Sequence, residues 1–186
     1  IYNHYKEDQY CNIREEIFMY KDIKYNELSK EMLERLQKGA FLTVNSGNEI
    51  NTMTIGWGSI GFIWNKPIFM VAVRYSRYTY EMLEKTNAFT ISVPLENNMQ
   101  KELGICGTKS KRDIDKFKVC NLTPVIGNHV DCPIIDECDL HFECKIVYKQ
   151  AMEPGMLDSQ IKIDKYSNND FHVLYYGEIL GSYIKE

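Results

Sequence analysis

Hydrophobic and polar positions change period several times along the chain, and each change predicts an element. From Asn26 to Gly39 the apolar residues Leu28, Met32, Leu33 and Leu36 share one helical face, with Asn26 as cap and Gly39 just past the end, which predicts a packing helix. Ala40 to Asn45 reads as a strand, and Ser46-Gly47-Asn48-Glu49 as the turn returning the chain into a second strand over residues 51–58. There Thr52, Thr54, Gly56 and Gly58 alternate with Met53, Ile55 and Trp57, giving one small or hydroxylic face and one apolar face. Glycines on such a face let a flat molecule approach the backbone closely. Ile68 to Val73 follows Pro67, is short and β-branched, and predicts a buried strand. The period then changes at once: Ser76 is placed as an N-cap, Arg77 to Lys85 as a helix ended by Asn87, and Phe89 to Pro94 as the next strand.

The second half is simpler. Asn97 to Leu103 predicts a short helix, and Gly104 to Lys118 a loop. Asp139 to Met152 is a long strand in which Cys138, Leu140, Phe142, Cys144 and Ile146 share one parity and Asp139, His141 and Glu143 the other. Glu153-Pro154-Gly155 and Asp158 to Asn169 form a polar connection, and Phe171 to Ile184 a last strand with Gly177 and Gly181 as bends or bulges.

Candidate chemistry gathers at the helix start near residue 76. The first turn of a helix carries unpaired N–H groups and a partial positive charge, and Arg74, Ser76, Arg77 and Thr79 crowd that end, which makes an anion site suited to a phosphate. The alternative is an ordinary cap, with Arg74 and Arg77 solvated or paired with Glu81 or Glu84. Lys109, Lys111, Arg112, Lys116 and Lys118 against Asp113 and Asp115 give the 104–118 segment a local charge of +3 inside a chain of net charge −4. That contrast suggests an acidic ligand, against the alternative of a solvated charge run.

These blocks together resemble the flavin reductase-like family, whose members have an FMN-binding split β-barrel, and the likeness is greatest to its flavoredoxin branch. It is carried by Asn51-Thr52-Met53-Thr54 leading to Trp57, the Pro67-led strand ending in Arg74, Ser76-Arg77-Tyr78-Thr79, the Phe89–Pro94 strand, and Cys106-Gly107-Thr108-Lys109-Ser110-Lys111-Arg112-Asp113-Ile114-Asp115-Lys116-Phe117. The last is similar to the family's Gly-Thr-x-Ser-Gly-Arg-Asp-x-Asp-Lys-Phe segment, and the resemblance runs over roughly residues 24–184. It implies a mostly β fold, an antiparallel Greek-key-like barrel with a few peripheral helices, and a homodimer holding one FMN per subunit near the interface. It also implies FMN contacts from Met53, Thr54, Ile55, Gly56 and Trp57 at the ring, from Arg74, Ser76, Arg77 and Thr79 at the phosphate, and from Lys109, Ser110, Lys116 and Phe117; Cys106, at the start of the basic segment, is a further candidate by its position. Position 111 is Lys where the family usually has Gly, which costs roughly 1 kcal/mol if the backbone there needs a positive φ. Asn169-Asp170-Phe171-His172 resembles the family's Gly-Asp-His segment with altered spacing and without the first glycine. His172 is therefore a candidate for the nicotinamide side, or a plain strand histidine.

The remaining features narrow the classes. With 186 residues, 44% hydrophobic and 12% aromatic, the chain is expected to form one soluble domain over residues 19–186. Its net charge and pI near 5.7 argue against a nucleic-acid partner, and no apolar run approaches the ~20 residues of a membrane span. Six cysteines lack the Cys-x-x-Cys spacing of a zinc site, so no metal is assigned, and free thiols without a signal peptide fit a reducing cytoplasm. Residues 1–18 mix charge and tyrosine without period. Arg14-Glu15-Glu16 is encodable by a purine-rich run like a ribosome-binding site, which would make Met19 the native start; the other reading is an N-terminal arm packed on the domain or on a partner subunit. Three functions follow: an NAD(P)H-dependent flavin or ferric reductase, an electron carrier reduced by a protein partner, and a flavin-free interaction module, which the two family blocks disfavour.

Overall fold

A computed structural model describes residues 20–47 and 49–186, so both readings of residues 1–18 and the Asn48 position of the first turn lie outside the described residues. The elements run β1 (Tyr20–Asp22), α1 (Ser29–Leu36), β2 (Ala40–Ser46), β3 (Glu49–Ile55), β4 (Gly58–Ile63), β5 (Lys66–Arg74), α2 (Tyr78–Leu83) and β6 (Ala88–Val93). They continue with α3 (Gln100–Thr108), α4 (Lys116–Cys120), β7 (Pro124–Ile126), β8 (Pro133–Ile135), β9 (Leu140–Ala151), a 3-10 turn (Pro154–Met156), α5 (Ser159–Tyr166) and β10 (His172–Lys185). The fold is mostly β, as the strand patterns predict.

One antiparallel sheet, ordered β3-β2-β6-β9-β10-β5-β4, with β1 added beside β10, curls around the main core. Phe69, Val71, Val73, Phe89, Ile91, Phe142, Cys144 and Tyr175 fill it. A second cluster, from Phe41, Met99, Leu103, Cys106, Phe117, Cys120 and Cys138, joins the outer side of β2 to α3 and α4. Strand β6 is buried along its whole length, so Thr90 and Ser92 need partners; Thr90 donates to the Pro133 carbonyl and Ser92 accepts from Ile135 N–H at 3.0 Å, both from the segment that covers it. The parity read for β9 holds at Leu140, Phe142 and Cys144 against His141 and Glu143, but the polar side is covered rather than wet. The Glu143 carboxylate accepts from the N–H groups of Asn128, His129 and Val130 at 2.7–2.9 Å and from the Tyr183 hydroxyl at 2.9 Å. Register shifts fall at Tyr176/Gly177 and Ile179/Gly181, where the two glycines predict them.

Several expectations need correction. The 51–58 stretch is not one strand: β3 ends at Ile55 and β4 begins at Gly58. Gly58 lies so close to β5 that a Cβ there would sit 2.8 Å from the Met70 carbonyl oxygen. The 104–118 segment is not a continuous loop, since α3 runs on to Thr108 and α4 starts at Lys116, with Asp115 capping α4 by accepting from Lys118 N–H. The polar connection contains α5, capped by Asp158, and its amphipathic pattern is weak because Ile161 and Ile163 stay exposed. Ser76 is not the cap of α2. Arg77 holds that position without a side-chain cap bond, and the Ser76 hydroxyl instead donates to Asp170 Oδ2 at 2.6 Å. Lys111 carries no backbone penalty, because the described non-glycine residues with positive φ are Trp64, Asn65, Asn121 and Asn169.

Candidate functional site

Strand β3 ends the sheet order, so its outer edge has no ladder partner among the described residues. Antiparallel ladders use only alternate residues on each side. The Thr52 carbonyl is taken by Lys116 Nζ at 2.8 Å, away from β2, so Thr54, of the same parity, also turns its backbone groups outward. Opposite this edge β4 falls away at the Gly58↔Val71 pair, leaving Ala72 to Arg74 of β5 uncovered. The sheet is therefore open along a seam, and a cleft occupies it, lined by Met53, Thr54, Ile55, Gly56, Trp57, Ala72, Arg74, Arg77 and His172.

A second recess adjoins it and shares Met53 and Arg77. Asn51, Ser76, Tyr78, Thr79, Cys106, Thr108, Lys109, Ser110, Arg112 and Lys116 complete its lining. Every residue nominated for the cofactor thus lines one of the two recesses, except Phe117. Phe117 is 8% exposed and packs in the second core cluster beneath α4. Asn51, Ala72, Tyr78, Thr108 and Arg112 line the recesses as well; all five lie inside the blocks that carry the resemblance, Ala72 in the Pro67-led strand, but none stands out there as a ligand by residue type and position alone.

The recess is positively charged. Arg77 Nη1 donates to the Gly107 carbonyl at 3.0 Å, and Lys116 Nζ donates to the Thr52 and Cys106 carbonyls at 2.8 and 3.1 Å. Among the described residues Arg74, Arg77, Lys109, Lys111 and Lys116 make no ion pair, so the alternative pairing of Arg74 or Arg77 with Glu81 or Glu84 does not form. Glu81 instead pairs with Arg112, whose guanidinium also lies 5.1 Å from the Tyr78 ring, and Glu84 pairs with Lys149. Burial lowers the pKa of the Lys116 ammonium. It pushes the Cys106 thiol up to about 12, which keeps that sulfur protonated and a poor nucleophile at neutral pH.

Arg74 sits elsewhere than the phosphate group of residues implies. It lines the seam cleft, opposite His172 in the β5–β10 register, and its guanidinium donates to the carbonyls of Asp170 and Lys165. It lies 5.1 Å from the Tyr166 ring and 6.0 Å from the Trp57 ring. His172 Nδ1 and the Tyr166 hydroxyl are 2.7 Å apart. Burial, and then the Arg74 charge, lower the His172 pKa to about 4, so the ring is neutral at pH 7. Trp57 is 44% exposed at the cleft, and Trp64 is 56% exposed away from it, against Tyr148 and Tyr176. No described cluster of three His, Cys, Asp or Glu side chains could hold a metal, and no described helix is long and apolar enough to cross a membrane.

Comparison with known proteins places this geometry. The chain is 28% identical over 140 residues to an uncharacterized protein of Archaeoglobus fulgidus, covering 75% of this chain and 68% of that one. Its fold is similar to the flavoredoxin of Desulfovibrio vulgaris (Miyazaki F), with a TM-score of 0.63 and 26% identity over 80% of this chain and 69% of that one. The flavoredoxin of Methanosarcina acetivorans gives 0.60 and 26% over 80% and 68%. An FMN-binding domain of a flavin reductase-like enzyme from Shewanella baltica gives 0.63 at 18% identity over 89% and 77%, a likeness of fold. Residues 37–186 match the family model described as flavin reductase like domain, so the open antiparallel barrel is a split barrel and the chain belongs to the flavin reductase-like family.

Proposed function

We propose that the protein binds FMN across the two recesses and acts as an NAD(P)H-dependent oxidoreductase of the flavin or ferric reductase type. The observation that carries this reading is the convergence of the nominated residues, from four separate stretches of chain, on two adjoining recesses. The residues present suit the cofactor. Hydroxyls and cations, among them Arg77, Lys109 and Lys116, which make no ion pair among the described residues, gather at one end, and the edge of β3 beside Gly56 lies open at the other, where a Cβ on Gly56 would meet nothing nearer than 3.7 Å.

Bound flavin supplies the hydride chemistry, and the chain supplies binding and orientation. Arg77, Lys109, Ser110, Lys116 and Thr79 hold the phosphate by charge-assisted and hydroxyl hydrogen bonds. The outward backbone groups of β3 meet the edge of the ring, and Trp57 and Arg74 wall the cleft and limit water. His172, neutral at pH 7, faces the same cleft and offers a hydrogen-bonding group to a nicotinamide. Asn169 holds φ at +59°, a conformation glycine takes freely and asparagine tolerates, so the segment before His172 keeps the backbone shape that a glycine would permit.

A second reading, an electron carrier reduced by another protein, is favoured by the two flavoredoxins at 26% identity. In both readings two copies associate, supported by the exposed aromatics Phe62 and Trp64 at the β4–β5 hairpin with Tyr148 beside them. An anaerobic absorbance spectrum of the FMN-reconstituted protein, followed through NADH and then NADPH, separates the two functions. Bleaching of the bound flavin within seconds is expected of the reductase. Bleaching by dithionite alone would establish the carrier instead.

A further inference from the structure

His172 lines the seam cleft, and the protein engages only one of its two ring nitrogens. Nδ1 lies 2.7 Å from the Tyr166 hydroxyl, whereas Nε2 has no hydrogen-bond partner among the described residues. Among those residues the buried side-chain nitrogen and oxygen atoms without a partner are Asn45 Oδ1 and Asn51 Oδ1, so Nε2 is not buried and meets the open space of the cleft. The phenol behind it comes from the last residue of α5, in a connection that no motif covers. Tyr166 is 3% exposed, its ring stacks on Phe171 with centroids 5.0 Å apart, and the Arg74 guanidinium lies 5.1 Å from it. Those contacts hold the hydroxyl against His172, and Trp57 packs 4.9 Å from the imidazole and limits its rotation.

The direction of the Tyr166–His172 hydrogen bond follows from where the protons can go. Burial raises the Tyr166 pKa against the lowering effect of Arg74, so the phenol keeps its proton at pH 7. The His172 ring is neutral there and carries a single N–H on one nitrogen or the other. With that N–H at Nδ1, it would donate to the phenol oxygen, and the phenol proton would be left without an acceptor, since Tyr166 has no other hydrogen-bond partner among the described residues. A buried donor in that condition is unfavourable. With the phenol donating to Nδ1, every proton is placed: the ring N–H sits at Nε2, where the cleft is open. Toward the cleft His172 is therefore a donor, and a residue behind it makes it one.

We propose that Tyr166 is a positioning residue for the hydride step: by donating to His172 Nδ1 it fixes the tautomer whose Nε2–H faces the cleft, and that N–H receives a carbonyl oxygen of the molecule exchanging hydride with the flavin, such as the carboxamide of a reduced nicotinamide. The identity of that molecule rests on the reductase reading above, whereas the tautomer does not depend on it. Tyr166 lies outside the blocks that carry the family likeness, and it sets what His172 can recognise, an acceptor in the cleft and not a donor.

The first arm of the test is a long-range proton–nitrogen correlation NMR spectrum, at pH 7, of protein carrying isotope-labelled histidine, which reports the nitrogen that bears the proton in each ring. His172→Gln assigns the His172 signals by their disappearance. The parent is expected to show His172 as one tautomer, protonated at Nε2, and Tyr166→Phe to lose it, with the Nδ1-protonated form present alone or in a mixture. The second arm is anaerobic reduction of the FMN-reconstituted protein by NADH and by NADPH. His172→Gln is expected to raise the KM for the nucleotide about tenfold, the factor one ordinary hydrogen bond supplies, and Tyr166→Phe about threefold or more, with FMN affinity within about twofold of the parent. The double variant is no worse than His172→Gln alone, because Tyr166 acts only through the ring. A parent protonated at Nδ1, a Tyr166→Phe spectrum with the parent's tautomer, or additive effects in the double variant overturns the assignment, and the parent spectrum decides alone if Tyr166→Phe does not fold. A parent whose flavin neither nucleotide reduces removes the reductase reading and the ligand named with it, while the spectrum still decides the tautomer.

Discussion

Arg77 joins the two recesses, and replacing it with alanine tests the whole placement of the phosphate. Its guanidinium donates to the Gly107 carbonyl and has no carboxylate partner among the described residues, so its charge is available to a ligand. One charge-assisted hydrogen bond is worth about 1.5–3 kcal/mol, or about 10- to 150-fold in the FMN dissociation constant. Ser76 differs, because its hydroxyl proton is already given to Asp170 at 2.6 Å. Ser76→Ala is therefore expected to change FMN affinity by less than about threefold, under 0.7 kcal/mol, and the double variant to resemble Arg77→Ala alone. Arg77→Lys restores the charge without the planar fork and falls between. Fluorescence-quenching titrations at low and moderate salt read all four, and the salt dependence shrinks in Arg77→Ala. An Arg77→Ala protein with the parent's thermal melt and an FMN affinity within twofold of the parent would refute the reasoning. So would a Ser76→Ala loss as large as that of Arg77→Ala.

Three further expectations follow from buried groups. Lys116→Met removes the cation beneath the recess and orphans two carbonyls, so it should weaken FMN by about tenfold or more and destabilise the fold by about 1–3 kcal/mol, read by titration and urea unfolding. Gly177→Ala would put a Cβ 2.6 Å from Phe89 Cζ and 2.7 Å from Cys144 Cβ, and overpacking of that kind costs about 1–3 kcal/mol, seen as a lower melting temperature with little change in FMN affinity at the distant recess. His141 and His172 are held neutral, their pKa values lowered by burial to about 3 and about 4. The unfolded chain takes up their protons below pH ~6.5 while the folded chain does not, so stability falls from pH 6.5 down to those values. Each contributes a slope of up to about 1.4 kcal/mol per pH unit, and a His172→Gln variant whose urea midpoint keeps the parent's slope between pH 4.5 and 6 would count against the buried, neutral state of that ring.

The sequence by itself determined the local elements and most of the residues that meet in the recesses. Alternation along residues 51–55, the short apolar β-branched run 68–73, the Gly177 and Gly181 bulges and the motif blocks are properties of short stretches, because side-chain parity and backbone freedom act over a few residues. What only the tertiary structure decided is who pairs with whom. Ser76 looked like a helix cap until Asp170, far along the chain, took its hydroxyl. Arg74 was grouped with the phosphate by sequence proximity, yet the β5–β10 register sets it opposite His172 and the Lys165 and Asp170 carbonyls hold it in the seam. Phe117 stood in a motif but faces the core, since a helix can turn only one side to the recess while Lys116 occupies it. That the Asn51 side-chain carbonyl is buried with no hydrogen-bond partner among the described residues is visible only in the fold, because satisfaction of a polar group is decided by the three-dimensional neighbourhood and not by residue type.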